Sequence, residues 1–387
     1  MKKIIRITTV PVSLKVLLRG QLKFLNQHFE IIGVASPLKE LKEVEEQEGI
    51  RTYGIEMTRT ITPIKDFMAL IKLYRFLRKE KPLIVHTHTP KAGIIGMLAS
   101  YLAGVKHRFH TVAGLPLLVV TGPKRKLLNL VEKATYFFAT RVFPNSKGQY
   151  KLILEEKFAK PDKLEVIGQG SSNGIDVDHF DPDLIPHEKK EQLRRELGIL
   201  ENELAFVYIG RLVKDKGVNE MIAAFANFSA TGNSAKLILV GSREDDLDPL
   251  LPTTEELIAS HLQIVSVGWQ NDIRPFLAIA DVFVFPTYRE GFPNVVLQSG
   301  AMGVPAIVTD INGCNEIITD SINGLIIPPK DSKAIFEAMR FMADHPAERR
   351  RMRAVARENI VQNYKHTYIW SELLKLYQQI AQPDDIP

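Results

Sequence analysis

At 387 residues, with 45% hydrophobic and 25% charged side chains, the chain has a globular composition and the length of two domains of roughly 100–200 residues each, which excludes disordered and collagen-like architectures. Its single cysteine rules out an internal disulfide or a cysteine-based zinc site and points to a reducing compartment. The net charge of +5 averages two unlike halves: residues 1–180 carry 29 Lys and Arg against 16 Asp and Glu, whereas residues 181–387 carry 21 against 29.

No acidic residue lies between Glu80 and Glu132, while Lys81, Lys91, Lys106, Arg108, Lys124, Arg125 and Lys126 all fall there. Such a half attracts nucleic acid, an anionic membrane surface or a phosphorylated substrate, or is a solvated face of uneven charge. Charge alone does not choose among these. The start, Met1–Leu18, has a basic head, but its apolar run is broken by Arg6, Thr8, Thr9, Pro11 and Lys15, and no small-residue cleavage site follows. No stretch offers about 18 uncharged apolar residues without Pro or Gly, so a spanning helix is not expected and a cytoplasmic protein is.

In chain order, short apolar runs alternate with longer amphipathic segments, the pattern of βαβ units around parallel sheets. Strands are predicted at 4–8, 31–34, 83–86, 108–111, 141–144 and 164–167, with helices over 14–27, 39–48, 63–79, 91–103, 125–139 and 146–157. After the Pro-flanked stretch Asp181–Pro186 the rhythm restarts, with strands at 204–209, 236–240, 264–267, 282–285 and 306–308. The expected architecture is α/β, two doubly wound domains joined near 181–186. The residues just beyond each strand then matter most, because such sheets bind ligands past their carboxyl ends. The first strand runs into Thr8-Thr9-Val10-Pro11-Val12-Ser13 and lacks the G-x-G-x-x-G loop of dinucleotide oxidoreductases.

Two loops carry the best chemistry. Strand 204–209 leads into Gly210-Arg211-Leu212-Val213-Lys214-Asp215-Lys216-Gly217 and then a helix, placing cations beside a helix N-terminus, an arrangement suited to a diphosphate or to plain solvation. Strand 282–285 leads to Glu290-Gly291-Phe292-Pro293-Asn294 and on to Gln298. With a helix starting near Pro293, Glu290 sits in the preceding loop, and backbone N–H groups from Gly291 onward can meet a phosphate or sugar oxygen.

These two loops, with Val308–Ile318 and Asn323–Pro328, resemble the retaining glycosyltransferases of family 4, which have the GT-B fold of two Rossmann-like doubly wound domains facing a central cleft. The stretches His86–Gly96 and Gly170–Phe180 narrow the resemblance to the bacterial branch that builds capsule, O-antigen and related lipid-linked polysaccharides. The resemblance implies an N-terminal acceptor-binding domain over 1–182, a C-terminal nucleotide-sugar-binding domain over 183–365, and a terminal helix over 366–387 returning to the first domain. It also implies sugar transfer from a nucleotide-diphosphate donor, a UDP-sugar by expectation, to a lipid-diphosphate-linked saccharide. The retaining reaction would proceed by front-face departure and attack, with no enzyme nucleophile. No metal or other cofactor is expected.

Residue by residue, Arg211 and Lys216, with Gly210, match the group that holds the diphosphate and neutralises the leaving group. Glu290 matches the first Glu of the family's E-x7-E element, near the donor sugar. Gln298 occupies the second Glu position, where an amide replaces the carboxylate that binds the ribose. Gly268 and Trp269 open the loop expected near the base. On the acceptor side, Ala113 stands where many relatives carry a histidine, leaving His110 either to serve catalytically or to be a core residue. His88 is expected to shape the acceptor site, Lys91 to meet an acceptor phosphate, and Lys124 and Arg125 to join Lys126 and Leu115–Val120 in contacting an anionic inner-membrane surface, unless that segment is simply a buried helix start. Asp246-Leu247-Asp248 spells a metal-binding D-x-D, but it belongs to a different fold type, and Cys314 reads as a small neutral filler. No nucleic-acid motif accompanies the cations. A GT-B sugar-nucleotide epimerase and a non-catalytic sugar- or polyanion-binding partner subunit remain as alternatives.

Overall fold

The computed structural model describes residues 1–58, 60–115, 121–244 and 248–382. The chain divides into two compact units, Met1–Gly174 with His366–Pro387, and Ile175–Lys365. The first is built on six parallel strands: β1 Lys3–Ile7, β2 Glu30–Ala35, β3 Arg51–Gly54, β4 Ile84–Thr87, β5 His107–Val112 and β6 Arg141–Pro144. Their order is β3-β2-β1-β4-β5-β6. Ile4, Ile5 and Ile7 of β1 and Ile84 and Val85 of β4 are all buried, as both faces of a helix-covered parallel sheet require. Pro63, Pro90 and Pro123 each stand in the first turn of a helix, where a missing N–H costs nothing.

The second unit repeats the plan with β7 Leu204–Ile209, β8 Ala235–Val240, β9 Ile264–Gly268, β10 Val282–Phe285, β11 Ala306–Thr309 and β12 Gly324–Ile327, ordered β12-β11-β10-β7-β8-β9. In each sheet the order reverses between the first and fourth strands, β1 and β4 or β7 and β10. That switch point opens a crevice at the strands' carboxyl ends. The loops after β7 and β10 therefore meet by topology alone.

Several boundaries differ from expectation. The single helix predicted over 14–27 is two, Pro11–Leu17 and Gln21–Asn26, parted at Gly20. Gly20 has φ +76°, and a Cβ there would lie 2.6 Å from the Trp370 ring, so only glycine fits. The segment 164–167 forms no strand; Leu164 makes only an isolated bridge to Val142. Two edge strands were not predicted: β3 is largely exposed and has no apolar run, whereas β12, Gly324-Leu325-Ile326-Ile327, is apolar but only four residues long and pairs only with β11. The boundary between units falls after Gly174 rather than after 182. Ile175 already bonds through its N–H to the Tyr364 carbonyl, and Ile175, Val177 and Phe180 sit in the second core. The helix His366–Ala381 buries Leu373, Leu376 and Tyr377 in the first unit's core.

Candidate active site

In the second unit the loops after β7 and β10 abut through a glycine. Gly217 has φ +70°, and a Cβ there would stand 2.0 Å from the Pro286 carbonyl oxygen. This contact brings Lys216 to Glu290: Lys216 Nζ donates to Glu290 Oε1 at 2.5 Å, with both side chains mostly buried. Thr287, wholly buried, lies between them, its Oγ1 3.5 Å from Lys216 Nζ and 3.4 Å from Glu290 Oε1. Thr309 Oγ1 donates to the Thr287 carbonyl and ties β11 to the same point.

Asp215 clamps the two loops. Its carbonyl accepts from Tyr288 N–H at 2.9 Å, its Oδ2 pairs with Arg289 Nη2 at 2.8 Å, and its own N–H donates to Asp248 Oδ2 at 2.7 Å. Asp248 thus serves this loop through a backbone bond, while Asp246 and Leu247 of the same D-x-D lie outside the described residues. Arg211 projects from the turn after β7, half-exposed, and pairs with Glu244 at 2.5 Å; its carbonyl accepts from Tyr208 OH at 2.7 Å. Gly210 comes so close to Gly241 that a Cβ on the latter would overlap the Gly210 carbonyl at 1.8 Å.

The helix following the second loop is Asn294–Ala301, capped by Pro293, with Gln298 part-exposed on its fifth residue. Phe292 turns its ring inward against Tyr364, centroids 5.6 Å apart, leaving Gly291 and Phe292 to offer backbone rather than side chain. Gly268 ends β9, and Trp269 beyond it is 66% exposed. Burial pushes the Cys314 thiol up, reinforced by the nearby Glu290 charge, so it is an unreactive filler. The arrangement presents two cations, a carboxylate and a helix start at one switch point, which suits an anionic group joined to a hydroxyl-bearing one.

In the first unit three of the four residues expected at the acceptor, Lys91, Arg125 and His88, have partners within the unit. Lys91 Nζ bonds both oxygens of Asp66 at 2.7 Å and the Thr60 carbonyl, so its charge is already met. Arg125 pairs with Glu156 at 2.7 Å and with Asn129. Lys124 alone of the four stays exposed. His88 is buried and accepts from Arg6 Nε at 3.0 Å. His110 is buried: its Nδ1 lies 2.7 Å from Thr87 Oγ1, its ring lies against Gly93, and burial pushes its pKa down to about 3. Among the described residues no group of three or more His, Cys, Asp or Glu is placed to hold a metal, and no helix is long and apolar enough to cross a membrane. Of the Leu115–Val120 segment, 116–120 lie outside the described residues.

Sequence reasoning missed Thr287, Asp215, Glu244 and Arg6. Asp215 was visible inside the basic loop; the others depend on partners distant in the chain.

Residues 189–359 match the family of glycosyl transferases group 1, and residues 28–170 match a glycosyl transferase 4-like domain. The capsular polysaccharide biosynthesis glycosyltransferase CapM of Staphylococcus aureus is 33% identical over 377 residues, 97% of each chain. An Escherichia coli UDP-Gal:alpha-D-GlcNAc-diphosphoundecaprenol alpha-1,3-galactosyltransferase is 33% identical over 76% of this chain and 74% of its own. Among solved structures, a Rickettsia africae glycosyltransferase superposes with TM-score 0.80 at 21% identity over 99% of both chains. Anabaena Alr3699/HepE in complex with UDP superposes with TM-score 0.81 at 16% identity over 98% of this chain and 100% of its own. With both halves matched, near-full-length identity of this degree and a doubly wound sheet in each of two units, the chain belongs to the group 1 glycosyltransferases and is a glycosyltransferase enzyme.

Proposed function

We propose that this glycosyltransferase moves a sugar, with retention of anomeric configuration, from a UDP-sugar to a lipid-diphosphate-linked saccharide in bacterial surface polysaccharide assembly. The observation that carries this reading is the meeting of Lys216 and Glu290 at the second unit's switch point, on the same loop as Arg211, which pairs with Glu244. The donor's diphosphate takes Lys216 and Arg211, which replace the charge a divalent cation would supply, so no metal is required. Glu290 then accepts from hydroxyls of the donor sugar, and the amide of Gln298 meets the ribose. The bond from the anomeric carbon to the diphosphate breaks with its electron pair going to phosphate oxygen. The acceptor hydroxyl attacks from the same face, and its proton passes to that oxygen.

The relatives' names support the donor and acceptor classes: a UDP-galactose donor and a diphosphoundecaprenol-linked acceptor in Escherichia coli, and capsular polysaccharide in Staphylococcus aureus. The first unit takes the acceptor and rests peripherally on the anionic cytoplasmic face of the inner membrane. Exposed Lys124, Lys126, Leu127 and Leu130 on the helix Gly122–Phe138, with Ile64, Phe67 and Met68 on the helix Pro63–Glu80, pair apolar groups with cations in the manner of an interfacial contact.

The test is transfer of radiolabelled sugar from a UDP-sugar to a lipid-linked acceptor, with the donor first chosen by thermal shift across a nucleotide-sugar panel. Transfer lost in Lys216→Ala supports the reading. Donor binding without transfer to any lipid-linked acceptor overturns it.

A further inference from the structure

A second cluster of polar groups lies within the first unit, apart from the residues proposed for transfer. Arg6 in β1 is wholly buried, yet its hydrogen-bond partners are neutral: Nε donates to His88 Nε2 at 3.0 Å and Nη2 to Gln21 Oε1 at 2.5 Å. Because His88 accepts at Nε2, its ring proton sits on Nδ1. Four buried atoms, Arg6 Nη1, His88 Nδ1, Asn145 Oδ1 and Ser172 Oγ, have no hydrogen-bond partner among the described residues. All four residues line one cavity of about 20 Å³, covered by Ile369 and Leu373 of the terminal helix.

We propose that this cavity binds a single water molecule, and that the water locks the two chain crossings between the units onto the first unit. The four atoms are two N–H donors, one carbonyl acceptor and one hydroxyl, the complement of a molecule that accepts two hydrogen bonds and donates two. The volume is that of about one water. A small anion would satisfy Arg6 and His88 but would face the Asn145 carbonyl oxygen. Asn145 cannot turn its amide, because Nδ2 already donates to the Ala113 carbonyl at 3.2 Å.

The consequence follows from what surrounds the cavity. Gln21, held by Arg6, donates through Nε2 to the Ser172 carbonyl at 3.2 Å and to Asn173 Oδ1 at 3.1 Å. The same Asn173 oxygen accepts from Trp370 Nε1 at 2.7 Å. Ser172 and Asn173 immediately precede one crossing, Gly174 to Ile175; Trp370 stands just after the other, Lys365 to His366. The water adds the Ser172 side chain to Arg6, His88 and Asn145, and so fixes β1, β4 and the end of β6 to the segment that leaves the unit.

Ser172→Val removes the hydroxyl and fills the cavity. In that variant we expect amide exchange over 171–174 and 366–373 to quicken about tenfold, the loss of roughly one hydrogen bond. Exchange in β2 and in the second unit should not change. In a Trp269→Phe background Trp370 is the sole tryptophan, and its emission should shift to the red. A high-resolution crystal structure of the wild type should show one water bonded to Arg6 Nη1 and His88 Nδ1. Replacing chloride by gluconate at constant ionic strength should leave the melting temperature unchanged. Unchanged exchange in Ser172→Val overturns the lock. A bromide anomalous peak between Arg6 and His88, or a chloride-dependent melting temperature that disappears in Arg6→Met, overturns water in favour of an anion. Should Ser172→Val fail to fold, Ser172→Ala gives the same exchange test without the added bulk.

Discussion

Lys216 and Glu290 stand 74 positions apart in the chain and 2.5 Å apart in the structure, a carboxylate closing on the cation best placed to take a diphosphate. On the proposed reading an anionic ligand at Lys216 competes with Glu290 for the ammonium, and a carboxylate that yields becomes free to accept from hydroxyls attached to that anion. Under the proposed function, binding and orientation of the donor would then be one exchange of partners.

Glu290→Gln separates the two halves of that exchange. The variant leaves Lys216 without a competing charge, so UDP should bind several-fold more tightly by calorimetry. Sugar transfer should fall about 100-fold, the scale of losing one charge-based contact in a transition state. Weaker UDP binding in this variant would contradict the exchange.

Gly217 joins the two loops because it has no Cβ. Gly217→Ala puts a methyl 2.0 Å from the Pro286 carbonyl at φ +70°, so the loops must part. A destabilisation of about 1–3 kcal/mol is expected in urea unfolding of the second unit, with loss of donor binding.

The buried titratable groups of the first unit oppose one another. Burial holds His86, His88 and His110 well below the usual histidine range, so they are neutral when folded and take up protons only on unfolding. Their stabilisation is present above about pH 6.5 and is lost as the pH falls below it. Burial pushes Glu132 up to about 7, partly offset by Tyr136; its folded form keeps the proton, so its stabilisation is full below about pH 4.5 and is lost as the pH rises towards 7. Three histidines outweigh one glutamate, and stability should fall on acidification below pH 6.5. Each group contributes a slope of about 1.4 kcal/mol per pH unit, so Glu132→Gln should steepen that fall by about that amount in thermal melts across pH 5–6.5.

The membrane contact can be tested separately from the chemistry. Lys124→Glu with Lys126→Glu, or Phe67→Asp with Leu130→Asp, should each abolish sedimentation with vesicles containing anionic lipid. UDP affinity, measured on the same variants, should not change. Retained vesicle binding in both pairs would remove these two helices from the contact.

The sequence by itself determined the two-fold αβ rhythm, because apolar runs such as Leu204–Ile209 must be buried on both faces and the amphipathic helices between them must cover those faces. It also picked out the two loops that meet at the second unit's switch point, since the chemistry of Gly210–Gly217 and of Glu290–Gln298 is local and both follow strands. The acceptor side was not legible. Whether Lys91, Arg125 and His88 are free depends on Asp66, Glu156 and Arg6, each 25 or more positions away in the chain. Edge strand β3 was missed because Arg51-Thr52-Tyr53-Gly54 has no apolar run, β12 because its apolar run is only four residues long, and the unit boundary falls earlier than expected because Ile175 joins the second core through a backbone bond to Tyr364. Composition and periodicity report which surfaces a segment must bury. Only the tertiary structure decides which charge meets which, and so whether the cations of the basic half are available to a ligand or already paired.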